Sequence, residues 1–207
     1  MPGRRRLALP ILVVALAAPP AAPAFDYPLS PESIREAYFL GKASLEKRNE
    51  FFEKYTHHLP IPKTGPNVAS IAVQTPFGCV VDKVSQMSLS YHAPDAEQDF
   101  LGKPGCFRVR VEIYFTETYP DPKATAAALG EFWRNFKLHL KQSAEIQPRS
   151  VLGQPIYSDQ TISGYIGAEI VAEYDVKKID PGTSTTVSVN TPDGQDVETT
   201  FDLANLR

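Results

Sequence analysis

The sequence predicts an α+β fold in which N-terminal helices precede and pack on a mainly antiparallel β-sandwich of about seven strands. A pattern of apolar residues at helical spacing begins after Ser30. Apolar and polar residues alternate without a miss over residues 107–116, as in a strand with one buried face. Near the end of the chain, two alternating segments are joined by Pro192-Asp193-Gly194, a reverse-turn sequence.

The first 24 residues have the three regions of a secretory signal peptide. A basic start (residues 4–6) is followed by an apolar run (residues 7–18) and a small-residue ending, Ala22-Pro23-Ala24. A membrane anchor is the alternative, but a span needs roughly 20 apolar residues, and this run is closed by Pro19-Pro20. We therefore expect cleavage after Ala24, with Phe25 as the first residue of a secreted or periplasmic protein that has no membrane span.

Charge and length narrow the class of protein further. Apart from the three arginines of the leader, 18 of the 21 basic residues remain and stand against 24 acidic ones. A chain this acidic is a poor candidate for binding nucleic acid or anionic lipid by charge alone. The length suits one core, so we expect residues 25–66 (helix and linker) and residues 67–207 (helix-containing β-sandwich) to form one compact unit.

The first predicted helix runs from Pro31 to Leu59. Ser30 can cap it, Pro31 suits the first helical position, and Glu32 complements the helix dipole. Apolar residues recur on one face at steps of three and four: Ile34, Tyr38, Gly41, Leu45, Phe52, Tyr55 and Leu59. Pro60 ends the pattern. Because this stripe would be unfavourable in water, we expect it to pack on the sandwich, and docking to a partner is the alternative.

Further helices are predicted on either side of residue 92. A strand around Ile71 and Val73 is followed by Thr75-Pro76, a cap and first turn, after which apolar residues continue at helical spacing to Tyr91. A short helical turn is expected over residues 94–101, and Gly102 ends it.

The chain after residue 105 is predicted to be sheet. Strand candidates follow one another at residues 107–116, 132–141, 146–157, 166–174, 185–191 and 197–203. This succession resembles an immunoglobulin-like sandwich with a helical preface, although the Cys-Trp-Cys spacing of antibody domains is missing.

Cys79 and Cys106 are the two cysteines of the chain. An oxidising compartment allows disulfides to persist. The chain has no Cys-x-x-Cys motif, and no histidine stands at metal-ligand spacing from either cysteine. We therefore expect a structural disulfide between them, with two separate buried thiols as the alternative.

His92, Asp95 and Asp99 form the best candidate for a metal or acid–base site. The two carboxylates stand one helical turn apart if the segment after Pro94 is helical. Capping and the helix dipole explain acids at a helix start equally well. The adjacent pair His57-His58 would point about 100° apart on a helix and cannot readily share one metal ion.

Basic and aromatic residues give a second candidate surface. Arg108 and Arg110 share the polar face of their strand with Tyr114, and Trp133 is predicted on the polar side of the next strand. Such a face can bind a polymer or glycan by stacking and hydrogen bonding. The alternative is that the arginines pair across strands with acids such as Glu112.

No complete hydrolase, zinc-protease, phosphate-loop, dinucleotide or calcium-loop motif occurs in the sequence. We therefore assign no catalytic residue and expect no cofactor. The sequence favours a non-enzymatic accessory module that binds an unknown protein or surface component. The alternative is a small extracellular hydrolase or metal-dependent enzyme that uses His92, Asp95 and Asp99.

Overall fold

Four α-helices and two antiparallel sheets make up the part of the chain that a computed structural model describes, which is residues 25–103, 105–119, 131–158 and 164–207. The α+β class predicted from the sequence is confirmed. The predicted leader, including Ala24, lies outside these residues. No helix among them is long and apolar enough to cross a membrane.

The helices are α1 (Pro31–Gly41), α2 (Leu45–Glu53), α3 (Pro76–Ser85) and α4 (Ala93–Phe100). Three of them begin at a hydroxyl cap, because the side chains of Ser30, Ser44 and Thr75 accept hydrogen bonds from the backbone N–H three residues ahead. Short 3₁₀ turns occupy Phe132–Asn135, Val176–Lys178 and Leu203–Asn205.

Nine strands are described, where the sequence predicted about seven. The first sheet has the order β1-β2-β3-β7-β6 and the second β5-β4-β8-β9. The strands of the first sheet are β1 (Thr56–His58), β2 (Asn67–Gln74), β3 (Cys106–Tyr114), β6 (Ser150–Tyr157) and β7 (Tyr165–Asp175). Those of the second are β4 (Lys137–Lys141), β5 (Glu145–Ile146), β8 (Ser184–Asn190) and β9 (Asp196–Asp202).

The main core contains apolar side chains from both sheets. The alternation of β3 gives one fully buried face, and its Val111 pairs with Ile71 of β2 and Ile170 of β7. Leu140 and Val187 contribute from the second sheet. This sandwich-like packing leaves the other face of the five-stranded sheet directed away from the core.

A second apolar cluster joins the helices. Ile34 of α1, Val81 of α3 and Ala96 of α4 are fully buried in it. Phe51 of α2 packs against both clusters, and its ring centroid lies 5.7 Å from that of Phe77. Helix α2 therefore connects the helical layer to the sandwich core.

The disulfide between Cys79 and Cys106 is confirmed, and it ties α3 to the first residue of β3. The last residues add a further link. The backbone carbonyl of Arg207 accepts hydrogen bonds from Tyr55 and Thr75, and its guanidinium lies over the Phe77 ring. The end of the described chain is thus held against the start of α3.

The single helix predicted from Pro31 to Leu59 is wrong. Helix α1 ends at Gly41, where a Cβ atom would lie 2.8 Å from Val84 Cβ and from the Val81 carbonyl oxygen of α3. The Arg48 guanidinium then donates to the carbonyls of Gly41 and Ala43, which satisfies the end of α1. The predicted apolar stripe is divided, and Leu45 is exposed.

The strand predicted over residues 132–141 is also wrong in its first half. Residues 132–135 form a 3₁₀ turn, in which the adjacent Phe132 and Trp133 both pack against the main core, as neighbouring residues of a strand cannot. The Phe132 ring contacts those of Phe115 and Tyr165. Trp133 does not lie on a polar strand face. Its indole covers Gly153 of β6, where a Cβ atom would overlap the ring.

Candidate binding surface

The face of the five-stranded sheet that points away from the core, here called the outer face, is polar. Strand register places Ser70, Glu112 and Glu169 in one row across β2, β3 and β7. The neighbouring rows across the same strands are Ala72, Arg110 and Val171, then Gln74, Arg108 and Glu173. Predicted strand alternation placed Arg108 and Arg110 on this face, as observed.

Both outer-face arginines are paired with acids. Arg110 Nε donates to Glu169 Oε1 at 2.6 Å, and Arg108 Nε donates to Glu173 Oε2 at 3.3 Å. Asp82 of α3 lies between the two guanidinium groups, with an oxygen 3.7 Å from a terminal nitrogen of each. Their positive charge is therefore neutralised within the protein, as the cross-strand alternative requires, although by other acids than Glu112.

The surroundings of Arg110 keep it charged. Burial lowers the pKa of its guanidinium, but the Glu169 hydrogen bond and the charges of Glu169, Asp82 and Glu112 outweigh burial and raise that pKa above its ordinary value. Arg110 is therefore a fixed cation that holds Glu169 in place.

A cleft of about 470 Å³ opens between α2 and the outer face. We call it the α2 cleft. Phe52 and Glu53 of α2 line it on one side, and Gln74, Arg110, Glu112 and Glu169 line its floor. It is large enough for a side chain or a small molecule.

Gln74 is the least expected residue of this cleft. Its side chain is 2% exposed, and its amide oxygen has no hydrogen-bond partner among the described residues. The same residue also lines a second cleft of about 270 Å³ between α3 and β6. A buried amide without a partner costs free energy, so Gln74 marks a position where a ligand can supply the missing donor.

Carboxylates are in excess in the α2 cleft. Glu112 accepts one hydrogen bond, from Ser70 Oγ at 3.2 Å, and no basic side chain in the described ranges forms an ion pair with it. Glu53 lies 3.1 Å from His58 Nε2. With Glu169 committed to Arg110, Glu112 is the carboxylate best placed to receive a ligand.

The two carboxylates of the predicted site at His92, Asp95 and Asp99 bond to residues of their own segment. Asp95 accepts a hydrogen bond from the His92 backbone N–H at 2.8 Å and so caps its own helix. Asp99 accepts from the Tyr91 hydroxyl at 3.0 Å and lies 3.8 Å from Lys103 Nζ. Among the described residues, no group of three His, Cys, Asp or Glu side chains could hold a metal ion.

The remaining predicted groups are separated. His57 and His58 lie on strand β1 rather than on a helix, so their side chains point to opposite faces. The His57 ring meets Phe201 edge-on with centroids 4.7 Å apart. Because Trp133 covers Gly153 on the core-facing side of β6, it does not join Arg108 and Arg110 in an aromatic and basic surface.

Comparison with known proteins gives no family. No protein-family model matches the chain, and no curated protein matches it. The chemistry of the α2 cleft is therefore the basis for the functional inference.

Proposed function

We propose that this protein is an exported, non-enzymatic binding module that holds its partner or surface component at the α2 cleft. Gln74 carries this proposal. Four buried side-chain oxygens lack a partner among the described residues (Asn67, Gln74, Tyr165 and Tyr174), and of these Gln74 alone lines the α2 cleft. Such a group is explained if a ligand completes its hydrogen bonding.

The strand order supports an immunoglobulin-like architecture for the module. If β2 to β9 are taken in sequence as strands A, B, C, C′, D, E, F and G, the two sheets have the orders A-B-E-D and C′-C-F-G. Strand β1 is then added beside A, and α3 and α4 are inserted between A and B. Sandwiches of this kind serve many functions, so the site and not the fold decides the proposal.

Export is supported by the leader-like sequence and the disulfide. Residues 1–24 have the basic, apolar and small-residue regions of a signal peptide. The Cys79–Cys106 disulfide is compatible with an extracellular or periplasmic location, where such bonds persist.

Binding is favoured over hydrolysis by the contacts inside the cleft. His58 and Ser70 are register partners on β1 and β2, the closest arrangement there to a nucleophile and its base. However, the Ser70 hydroxyl donates to Glu112, while His58 Nε2 faces Glu53. Asp95 and Asp99, the acids of the hydrolase alternative, are occupied by the helix cap and by Tyr91.

Replacing Gln74 by leucine tests this proposal without knowledge of the ligand. Leucine keeps most of the side-chain volume and removes the unpartnered amide, so we expect Gln74→Leu to increase the free energy of unfolding in urea by about 1 kcal/mol. When a residue serves binding rather than stability, replacing it is expected to stabilise the protein.

Gln142→Leu is the control, because it makes the same change at a half-buried glutamine. The Gln142 amide is satisfied, since its nitrogen donates to the Asp180 carbonyl at 2.9 Å and its oxygen accepts from the Asp180 N–H at 2.9 Å. We expect this variant to lose about 1 kcal/mol or more of stability. If Gln74→Leu is destabilised as much as Gln142→Leu, the amide of Gln74 is structural and the proposal fails.

A further inference from the structure

We infer that the α2 cleft recognises a primary ammonium group carried on a short alkyl chain, as in a lysine side chain or a free diamine. This inference rests on the proposed function, because it names the ligand class of the same cleft. Charge, hydrogen-bonding capacity and the shape of the cleft wall each support a cation with an apolar stem.

The charges of the cleft favour a cation. Glu53, Glu112 and Glu169 line it, while Arg110 and His58 are the basic groups and both already face acids. An anionic ligand would need a free guanidinium, but Arg110 is bonded to Glu169 and lies near Asp82. An ammonium ligand would instead complete the charge balance of Glu112.

Two acceptors of the cleft have unfilled hydrogen-bonding positions. Gln74 presents a buried amide oxygen without a donor, and Glu112 has accepted one hydrogen bond where a carboxylate can take several. An ammonium group carries three donors and no acceptor. It therefore matches the donors that the cleft lacks.

The apolar part of the cleft suits an alkyl chain. Phe52 forms part of its wall and is half-buried, held by an edge-on contact with Phe51 whose ring centroid is 5.0 Å away. Ala72 lies on the floor between Gln74 and Ser70. An aromatic ring beside carboxylates is a recurring way to bind alkylammonium groups.

The test is calorimetric titration of the protein with n-butylammonium, with butyrate as the probe of opposite charge. We expect saturable binding of n-butylammonium and none of butyrate. Glu112→Gln keeps the shape of the side chain and removes its charge, so it should weaken binding about tenfold or more. Glu198→Gln makes the same change on an exposed position of β9 and should bind like the unmodified protein.

Two further arms keep the test decisive. Gln74→Leu should remain folded and lose most of the affinity, which guards against misfolding of Glu112→Gln. A blocked lysine, N-acetyl-lysine N-methylamide, compared with 1,5-diaminopentane assigns the source of the ammonium group. Tighter binding of the blocked lysine indicates a peptide partner, and tighter binding of the diamine a free amine.

The inference is overturned if butyrate binds in place of n-butylammonium, if no amine saturates the protein, or if Glu112→Gln binds as Glu198→Gln does. The proposed function has its own readout in the stability of Gln74→Leu. If Gln74→Leu is stabilised but the unmodified protein binds no amine, the ligand class alone is refuted. If Gln74→Leu is destabilised, the binding role of the cleft is refuted.

Discussion

Phe25, the first residue after the predicted leader, is buried in the fold. Its side chain is 4% exposed, and its ring centroid lies 6.1 Å from that of Phe107 in the main core. The residue directly after the predicted cleavage point is therefore part of the packed structure. The proposed processing would remove every residue before this anchor and leave the core intact.

The first prediction at this scale is that the exported protein begins at Phe25. N-terminal sequencing of protein recovered from the periplasm or the culture medium measures it. Ala24→Leu removes the small residue that a signal peptidase needs, so this variant should accumulate with its leader attached. Recovery of exported protein that still carries Met1 to Ala24 would contradict the prediction.

Residue roles on the outer face could be predicted only in part. Alternation around Arg108 and Arg110 placed both on a polar face, since period-two patterns are local. Their partners Glu169 and Glu173 stand 59 and 65 positions later in the chain. The register of β3 and β7 brings each pair together. Gln74 lacks a partner because of how α2, α3 and the neighbouring strands assemble around it, so no local pattern reveals this feature.

At the scale of elements, the helical layer is built by tertiary contact more than by sequence periodicity. Caps at Ser30 and Thr75 were predicted and are observed. The end of α1 at Gly41 was not predicted, because the close approach of α3 that requires a glycine there involves Val81 and Val84, which are 40 and 43 positions away in the sequence. Periodicity continued through the break and joined two helices into one.

The prediction for α1 compares its two faces. Ile34 is fully buried against α3 and α4, whereas Phe39 is 62% exposed on the same helix. Ile34→Ala should lower the free energy of unfolding by about 3 kcal/mol, and Phe39→Ala should change it by no more than about 0.5 kcal/mol. Urea denaturation of both variants provides the measurement. Equal losses would show that α1 does not bury this face in the isolated protein.

The strand predictions also succeeded only where the local pattern was regular. The alternation of β3 is strict, and the strand was predicted within two residues of its observed end. Residues 132–135, Phe-Trp-Arg-Asn, do not alternate, and they form a 3₁₀ turn in which Phe132 and Trp133 both pack against the main core. Strict alternation therefore identified β3, whereas the strand prediction failed at the residues where the alternation is broken.

At the scale of the whole molecule, α2 and α3 lie beside the outer face of the five-stranded sheet. The Cys79–Cys106 disulfide and the contacts of Arg207 with Tyr55 and Thr75 hold α3 beside β2 and β3. This placement puts Asp82 against the arginines and Phe52 against the cleft. The fold class was predictable from local patterns, but the cleft arises only from this assembly.

The central claim is that the outer face under α2 is the binding surface, and the most direct measurement is a map of backbone amide shifts during titration with n-butylammonium. We predict the largest ¹H–¹⁵N shifts in β2 near Ser70 and Gln74, in β3 near Arg110 and Glu112, and at the end of α2 near Phe52. The second sheet, including β8 and β9, should not respond. Shifts confined to that sheet or to the segment from His92 to Asp99 would contradict the account.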